Sequence, residues 1–99
     1  MAIVEVSVVP IGTGSTSVSE YVAACHRVLK EETRINYQLT PMATILEGDL
    51  DLLLEVVRKL HEVPYGKGAE RVYTTIRIDD RRDKDTSMER KVQAVESKL

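Results

Sequence analysis

An alternating run of β-branched and polar residues opens the chain and predicts a strand from Ile3 to Pro10. Side chains of a strand point alternately to its two faces, so this run divides into two sets. One predicted face carries Val4, Val6 and Val8, and the other carries Ile3, Glu5, Ser7 and Val9.

Three more strands are predicted further along the chain. Two short ones lie at about 36–40 and 43–47, and Pro41 marks the bend between them, because proline lacks the amide N–H that a central strand needs. A fourth strand covers 71–79. Its two faces carry Val72, Ile76 and Ile78 on one side, and Tyr73, Thr75 and Arg77 on the other.

Apolar residues at helical spacing predict an amphipathic helix from residue 18 to about 32. Ser17 is predicted as its N-cap, with Glu20 completing a capping box. The apolar stripe consists of Val18, Tyr21, Val22, Cys25 and Leu29. This assignment leaves His26 on the polar side of the helix.

A second helix is predicted to begin at Gly48–Asp49 and to stop in the segment 63–68, which contains one proline and two glycines. Its predicted buried stripe is Leu50, Leu53, Leu54, Val57 and Leu60. A short last helix is predicted over about 87–98, where Thr86 and Glu89 form a second capping box.

The order β-α-β-β-α-β, followed by a terminal helix, predicts an α+β fold of the ferredoxin-like type. Right-handed crossovers give a four-stranded antiparallel sheet with both long helices on one face. The other face would be bare and would mix apolar with polar side chains. It carries Ile3, Val9, Tyr73, Ser7, Thr75 and Arg77. That mixture favours a surface for self-association.

Composition narrows the class of protein. Fourteen Lys and Arg against sixteen Asp and Glu give a formal net charge of −2, without the basic excess that nucleic-acid binding requires. No segment has the length and apolar character of a membrane span, and no secretion signal is recognisable, so we expect a cytoplasmic protein. A chain of 99 residues without Phe or Trp predicts a single domain, 1–99, with a modest aliphatic core that oligomerisation would support.

Few residues are placed for catalysis. The loop Gly12–Ser17 lies between a strand and a helix, where amides hold anions, but it matches neither established phosphate-binding pattern. Cys25 and His26 are helix neighbours that point about 100° apart, and His61 lies on another helix. Basic residues interleave the acidic ones of Asp79–Asp85, which favours a solvated turn. We therefore expect no catalytic residues, no metal site and no cofactor.

Several motifs together resemble those of a family of short proteins. These motifs are Val8–Thr13, Ser15–Ser17, Tyr21–Ala23, Met42–Gly48 and Arg71–Asp83. The chain is similar over almost its whole length to the thiamine-binding-protein-like family, also called DUF77 or UPF0045. The resemblance implies a ferredoxin-like protomer, dimers formed through the sheets, and tetramers. It also implies a role in binding thiamine or its hydroxymethylpyrimidine part.

The resemblance directs attention to polar residues on the strands. An apolar residue packs better in a sheet unless the polar atom has a partner, so polar side chains there are candidates for ligand contacts. The predicted ligand-binding residues are Ser7, Thr44, Glu47, Thr75 and Arg77. We expect their pocket at the sheet surface where protomers meet, with Tyr37 and Tyr73 nearby for stacking.

Other interpretations remain open from the sequence. Glu5 and Arg77 could simply pair across neighbouring strands, and the threonines could satisfy one another between protomers. The protein could also be an enzyme or anion sensor acting on a phosphorylated metabolite through Gly12–Ser17 and Arg77. A structural or regulatory oligomer without a ligand is a third interpretation.

Overall fold

Seven elements follow one another in the predicted order in the computed structural model, which describes residues 1–85 and 87–99. They are β1 (Ala2–Ile11), α1 (Ser19–Glu31), β2 (Asn36–Leu39), β3 (Thr44–Gly48), α2 (Leu50–Gly66), β4 (Arg71–Asp80) and α3 (Met88–Glu96). The predicted ferredoxin-like fold with a C-terminal helix is thereby confirmed.

The four strands form one antiparallel sheet in the order β2-β3-β1-β4. Val4 lies opposite Leu46 on one side and opposite Ile78 on the other, and Leu46 lies opposite Tyr37. Directly opposed residues share a face of a sheet, so this row belongs to one face, which we call the helix face. The alternate row, which contains Glu5, belongs to the opposite face, which we call the open face.

Helices α1 and α2 bury their apolar stripes against the helix face. The largest fully buried side chains include Leu29 of α1, Leu46 of β3 and Leu53 and Leu60 of α2. Each such side chain contributes about 1.5–3 kcal/mol through its removal from water. These contacts hold the two helices over β1 and β3.

One prediction for α2 was wrong. Leu54 is 40% exposed, and Val56 is buried instead, because the buried set follows the spacing of Leu53, Val56, Val57 and Leu60. The helix continues through Pro64 and ends at Gly66, within the segment predicted to stop it. Pro64 is itself buried, so packing outweighs the loss of one backbone hydrogen bond.

The predicted capping box of α1 is absent. The helix begins at Ser19 with Val18 as N-cap, and no side chain caps it. The Ser17 hydroxyl lies 3.2 Å from the Ser19 hydroxyl and 3.5 Å from its amide nitrogen. A local serine turn therefore replaces the cap, since short hydroxyl side chains compete with helical bonding.

The last helix begins at Met88, and its cap lies one residue later than predicted. Ser87 is the N-cap, and its hydroxyl accepts a hydrogen bond of 3.1 Å from the Arg90 amide. Thr86, the predicted cap, lies outside the described residues. No residue of α3 is buried, and Val92 and Val95 are more than half exposed. The helix is thus attached to the sheet mainly through polar contacts.

Candidate ligand-binding site

A cleft opens on the helix face between β1, the start of α1 and the β2–β3 hairpin, and we call it the hairpin cleft. It encloses about 270 Å³. Its apolar walls include Val6, Val8, Val18, Val22, Leu39 and Met42. Cys25 and Leu60, which are both buried, lie at its base. The cleft is therefore suited to an apolar or flat aromatic group.

The β2–β3 hairpin forms one wall of the cleft, and one threonine holds the bend of this hairpin through hydrogen bonds. The Thr40 hydroxyl donates to the Ala43 carbonyl at 2.7 Å and accepts from the Ala43 amide at 3.1 Å. The Thr40 amide also donates to the Ala43 carbonyl, at 2.9 Å. These bonds close the bend and leave Met42 88% exposed at the rim. The Thr40 hydroxyl is already hydrogen-bonded within the hairpin. Of the two threonines in this wall, Thr44 is therefore better placed to contact a ligand.

Thr44 is paired with a histidine behind the wall. The Nε2 atom of His26 lies 3.1 Å from the Thr44 hydroxyl oxygen. The Tyr37 ring meets the imidazole edge-on, with centroids 5.7 Å apart. Burial, with a smaller effect of the Lys30 charge, lowers the pKa of His26 below its ordinary value. This shift favours the neutral form of the imidazole.

The predicted position of His26 on the polar side of α1 was wrong. His26 follows Val22 by four residues and precedes Leu29 by three, so it shares their face. The apolar stripe of a helix is more than about 100° wide, which accommodates both Cys25 and His26.

Cys25 is inert in this position. Its thiol donates to the Leu60 carbonyl at 3.7 Å, and burial raises the pKa of the thiol above its ordinary value. A thiol held in its protonated form is a poor nucleophile. Cys25 therefore forms part of the base of the cleft.

The five predicted ligand-binding residues do not meet in one pocket of a protomer. Thr44 lies opposite Val6 on the helix face and lines the hairpin cleft. Ser7 lies opposite Thr75 on the open face, although Ser7 also borders the hairpin cleft together with Thr44. Arg77 lies opposite Glu5 on the open face, and its Nε is 3.5 Å from the Glu5 carboxylate. The cross-strand pairing of Glu5 and Arg77 considered above is therefore present.

Glu47, the fifth of these residues, is occupied by protein donors. It is 6% exposed and lies on the open face beneath α3. One carboxylate oxygen accepts from the Asn36 amide group at 3.0 Å, and the other accepts from the Met88 backbone amide at 2.6 Å. Met88 begins α3, so the negative charge lies at the positive end of that helix. Glu47 thus anchors α3.

The loop Gly12–Ser17 does not form an anion site with Arg77. Gly12 and Gly14 have positive φ angles of 79° and 77°, which shape the loop as glycine permits. The Ser15 and Ser17 amides donate to hydroxyls within the loop. Arg77 lies opposite Glu5. Glu5 is six residues before Ile11, where β1 meets the loop, and six residues of a strand span roughly 20 Å.

Two features are absent from residues 1–85 and 87–99. No group of three or more His, Cys, Asp or Glu side chains could hold a metal ion. Across the same part of the chain, no helix combines the length and the apolar character needed to cross a membrane.

The fold and the cleft together define a ferredoxin-like domain with a ligand-sized opening on its helix face. A family model described as thiamine-binding protein matches residues 4–96, and the chain belongs to this family. The UPF0045 protein in the glkA 3′ region of Staphylococcus xylosus is 56% identical, covering 100% of this chain and 95% of that protein. The UPF0045 protein YqgV of Bacillus subtilis is 50% identical, covering 100% and 98%. The resemblance seen in the sequence is confirmed.

Solved structures share the fold. The hypothetical protein MJ1052 of Methanocaldococcus jannaschii superposes with a TM-score of 0.85 at 35% identity, covering 96% of this chain and 95% of that one. The DUF77 domain of Bacillus cereus gives 0.81 at 32% identity, covering 92% and 86%. A Thermotoga maritima protein, TM0486, gives 0.77 at 20% identity, covering 95% and 97%. That last similarity supports the fold alone.

Proposed function

We propose that the protein is a non-catalytic binder of thiamine or its hydroxymethylpyrimidine part, and that the hairpin cleft holds the pyrimidine ring. The observation that carries this proposal is the combination of an apolar cleft with the Thr44 hydroxyl in its wall, which is hydrogen-bonded to His26. The family's description as thiamine-binding protein supports it.

The size of the cleft favours one ring. Ligand pockets commonly enclose about 300–1,000 Å³, and the 270 Å³ of this cleft is slightly below that range. A pyrimidine can pack its faces against Val22 and Leu39, while the Thr44 hydroxyl meets a polar ring edge. The thiazolium part of thiamine would extend past Met42 into solvent. We therefore expect hydroxymethylpyrimidine to contribute most of the affinity.

The chemistry around the cleft supports binding without reaction. The Cys25 thiol is held protonated by its buried site. His26 is hydrogen-bonded to a hydroxyl, whereas a histidine that acts as a general base usually has a carboxylate to orient it. These groups can recognise a ring but are poorly placed to activate a nucleophile.

We also propose that protomers associate through the open face into dimers or tetramers. Tyr73 is 64% exposed on that face and lies directly opposite Val9. The neighbouring pairs Ser7–Thr75 and Glu5–Arg77 can exchange hydrogen bonds with a second copy. The exposed Val92 and Val95 of α3 extend the apolar area on this side of the molecule.

Thermal-shift measurements test the binding proposal. A ligand at a hundred times its dissociation constant stabilises the native state by about 2.7 kcal/mol, which a melting scan detects. We expect a shift with hydroxymethylpyrimidine and with thiamine, and none with inorganic phosphate. A shift with phosphate compounds alone would favour the anion-sensing alternative, and no shift with any of them would favour a structural oligomer.

Two matched variants locate the site. Thr44→Val removes the hydroxyl in the cleft, and Thr75→Val makes the same change on the open face. We expect Thr44→Val to weaken pyrimidine binding about tenfold, which is 1.4 kcal/mol, with the oligomer intact. Thr75→Val should leave the affinity unchanged. The opposite pattern would place the ligand on the open face.

A further inference from the structure

We propose that the backbone of Val8 recognises the edge of an aminopyrimidine in the hairpin cleft. The Val8 carbonyl oxygen accepts a hydrogen bond from the exocyclic amine, and the Val8 N–H donates one to the neighbouring ring nitrogen. This inference rests on the proposed function and names the groups that orient the ring, which the apolar walls of the cleft cannot do.

Strand β1 is paired along only part of its length on the side of the hairpin. On its other side, all ten residues of β1 pair with β4. Strand β3 pairs only with Ala2–Val6. The same register, if continued, would place Met42 opposite Val8, but the chain bends at that point and leaves Met42 88% exposed. The stretch 7–11 therefore presents an unpaired side, which we call the free edge of β1.

The hairpin cleft follows this free edge. Four consecutive residues, Val6–Val9, line it. Ser7 and Val9 lie opposite Thr75 and Tyr73 on the open face, so they border the cleft through their backbone. Across residues 1–85 and 87–99, no backbone hydrogen bond outside the helices and the paired strands reaches this stretch. The polar groups of the free edge are thus available to a ligand.

The bonding of the hairpin determines which residues direct their backbone groups to this side. In an antiparallel sheet, residue pairs alternate between pairs that exchange hydrogen bonds and pairs that do not. The Thr40 amide donates to the Ala43 carbonyl at 2.9 Å, so the next pair, Leu39 and Thr44, belongs to the second kind. Thr44 therefore directs its N–H and C=O towards β1, where Val6 lies opposite.

By the same alternation, Val8 and Pro10 direct their backbone groups to the free edge. Pro10 supports this assignment independently. It lies opposite Val72 in β4 although it has no N–H, and proline is tolerated in a strand where the N–H would point away from the neighbouring strand. Val8 is therefore the one residue of the free edge that offers the cleft both a donor and an acceptor.

A single donor–acceptor pair suits a small ring better than a peptide. A peptide that adds a strand to a sheet forms successive pairs along the edge, and Pro10 interrupts that series after Val8. The edge of an aminopyrimidine carries one donor, the amine, beside one acceptor, the ring nitrogen, which is the complement of the Val8 pair. Val18 and Val22 of α1 line the same cleft and can cover a face of the ring.

Hydrogen exchange measured by NMR tests this assignment directly. In the ligand-free protein, the Val8 amide should exchange quickly, whereas the Val9 amide, which faces β4, should be protected. Saturation with hydroxymethylpyrimidine should slow exchange at Val8 by about tenfold or more and leave Val9 unchanged. A Val8 amide that is already protected without ligand would overturn the inference, because another segment would then occupy the free edge.

A backbone ester at Val8 tests the contribution to affinity, because it removes the N–H and keeps the side chain. The full chain can be assembled from a synthetic segment 1–24 and the remainder, joined at the native Cys25. We expect the ester to weaken hydroxymethylpyrimidine binding about tenfold, the effect of one hydrogen bond. An ester at Ser7, whose N–H faces β4, is the matched control and should lower the melting temperature but not the affinity.

The ligand provides the complementary test. An analogue with hydrogen in place of the amine cannot donate to the Val8 carbonyl and should bind the wild type more weakly by a similar factor. If hydroxymethylpyrimidine binds but changes neither exchange at Val8 nor affinity in the Val8 ester, the inference is overturned and the binding proposal stands. Absence of binding to the wild type would overturn both.

Discussion

The Cys25 thiol donates to the carbonyl oxygen of Leu60, 3.7 Å away, and joins the two helices that cover the sheet. In a regular α-helix this carbonyl would accept from the amide of residue 64, but Pro64 has no amide hydrogen. The thiol thus supplies a buried donor where the helix lacks one. This relationship explains how α2 tolerates an internal proline near its end.

We predict that Cys25→Ala destabilises the protein by about 1–3 kcal/mol, because a buried carbonyl loses its donor and a small cavity forms. The same substitution should cost less in a Pro64→Ala background, where a backbone amide can serve Leu60. Urea unfolding of the two single variants and the double variant measures this coupling. Equal costs in both backgrounds would show that the thiol bond is unimportant.

The anchor of α3 gives a second prediction. Glu47→Ala removes the acceptor for the Met88 amide and the Asn36 side chain, so α3 should detach from the open face. Since α3 buries none of its residues, this change should affect the last helix far more than the core. Amide hydrogen exchange should speed up across α3 and stay unchanged in β1.

A matched control separates the anchor from the cap. Ser87→Ala removes the other hydrogen bond at the start of α3 and should cost about 1 kcal/mol of local stability. Glu47→Gln keeps an acceptor without the charge and should fall between wild type and Glu47→Ala. Protection of α3 that survives Glu47→Ala would contradict the anchoring role.

Much of the fold follows from local patterns in the sequence, because the β1 alternation and the two helical stripes each have one strongly apolar side. The period of the strand also separates Thr44 from Glu47, since residues three apart point to opposite faces. The sequence therefore places these two predicted ligand contacts on different faces of one protomer. His26 was likewise detectable from its spacing to Val22.

Other features depend on contacts distant in sequence. The pairing of Glu47 with the Met88 amide joins residues 41 positions apart, and no local pattern encodes it. Pro64 indicates that the Leu60 carbonyl needs a donor, but the donor comes from another helix. The hairpin cleft itself results from how α1 and the hairpin diverge over β1, which only the assembled fold defines.

A third prediction concerns pH. Arg34 donates to both oxygens of Glu32, at 2.8 Å each, and holds the pKa of that carboxyl at about 2. A lowered carboxyl pKa contributes stability that is present above the ordinary value and is lost as the pH falls towards 2. NMR titration should show the low midpoint in the wild type and a higher one in Arg34→Gln, still below the ordinary value because the backbone amide of residue 34 continues to donate to Glu32. Identical midpoints would show that the pair does not persist in solution.

The last prediction tests assembly through the open face. Tyr73→Asp would bury an unpaired carboxylate if a second copy covers this face, and such burial is strongly unfavourable. The variant should therefore sediment as a smaller species than the wild type at micromolar concentration. Ala23→Asp adds the same charge at an exposed position of α1 and should leave the sedimentation unchanged.

Binding data on the same variants relate assembly to the hairpin cleft. The cleft lies on the helix face, and Tyr73 lies opposite Val9 on the open face. If the cleft is complete within one protomer, Tyr73→Asp should still bind hydroxymethylpyrimidine with wild-type affinity while its mass falls. A parallel loss of affinity and mass would show instead that the ligand site needs the partner protomer. A wild-type protein that sediments as a monomer would contradict assembly through this face, because no second copy would then be present to cover Tyr73.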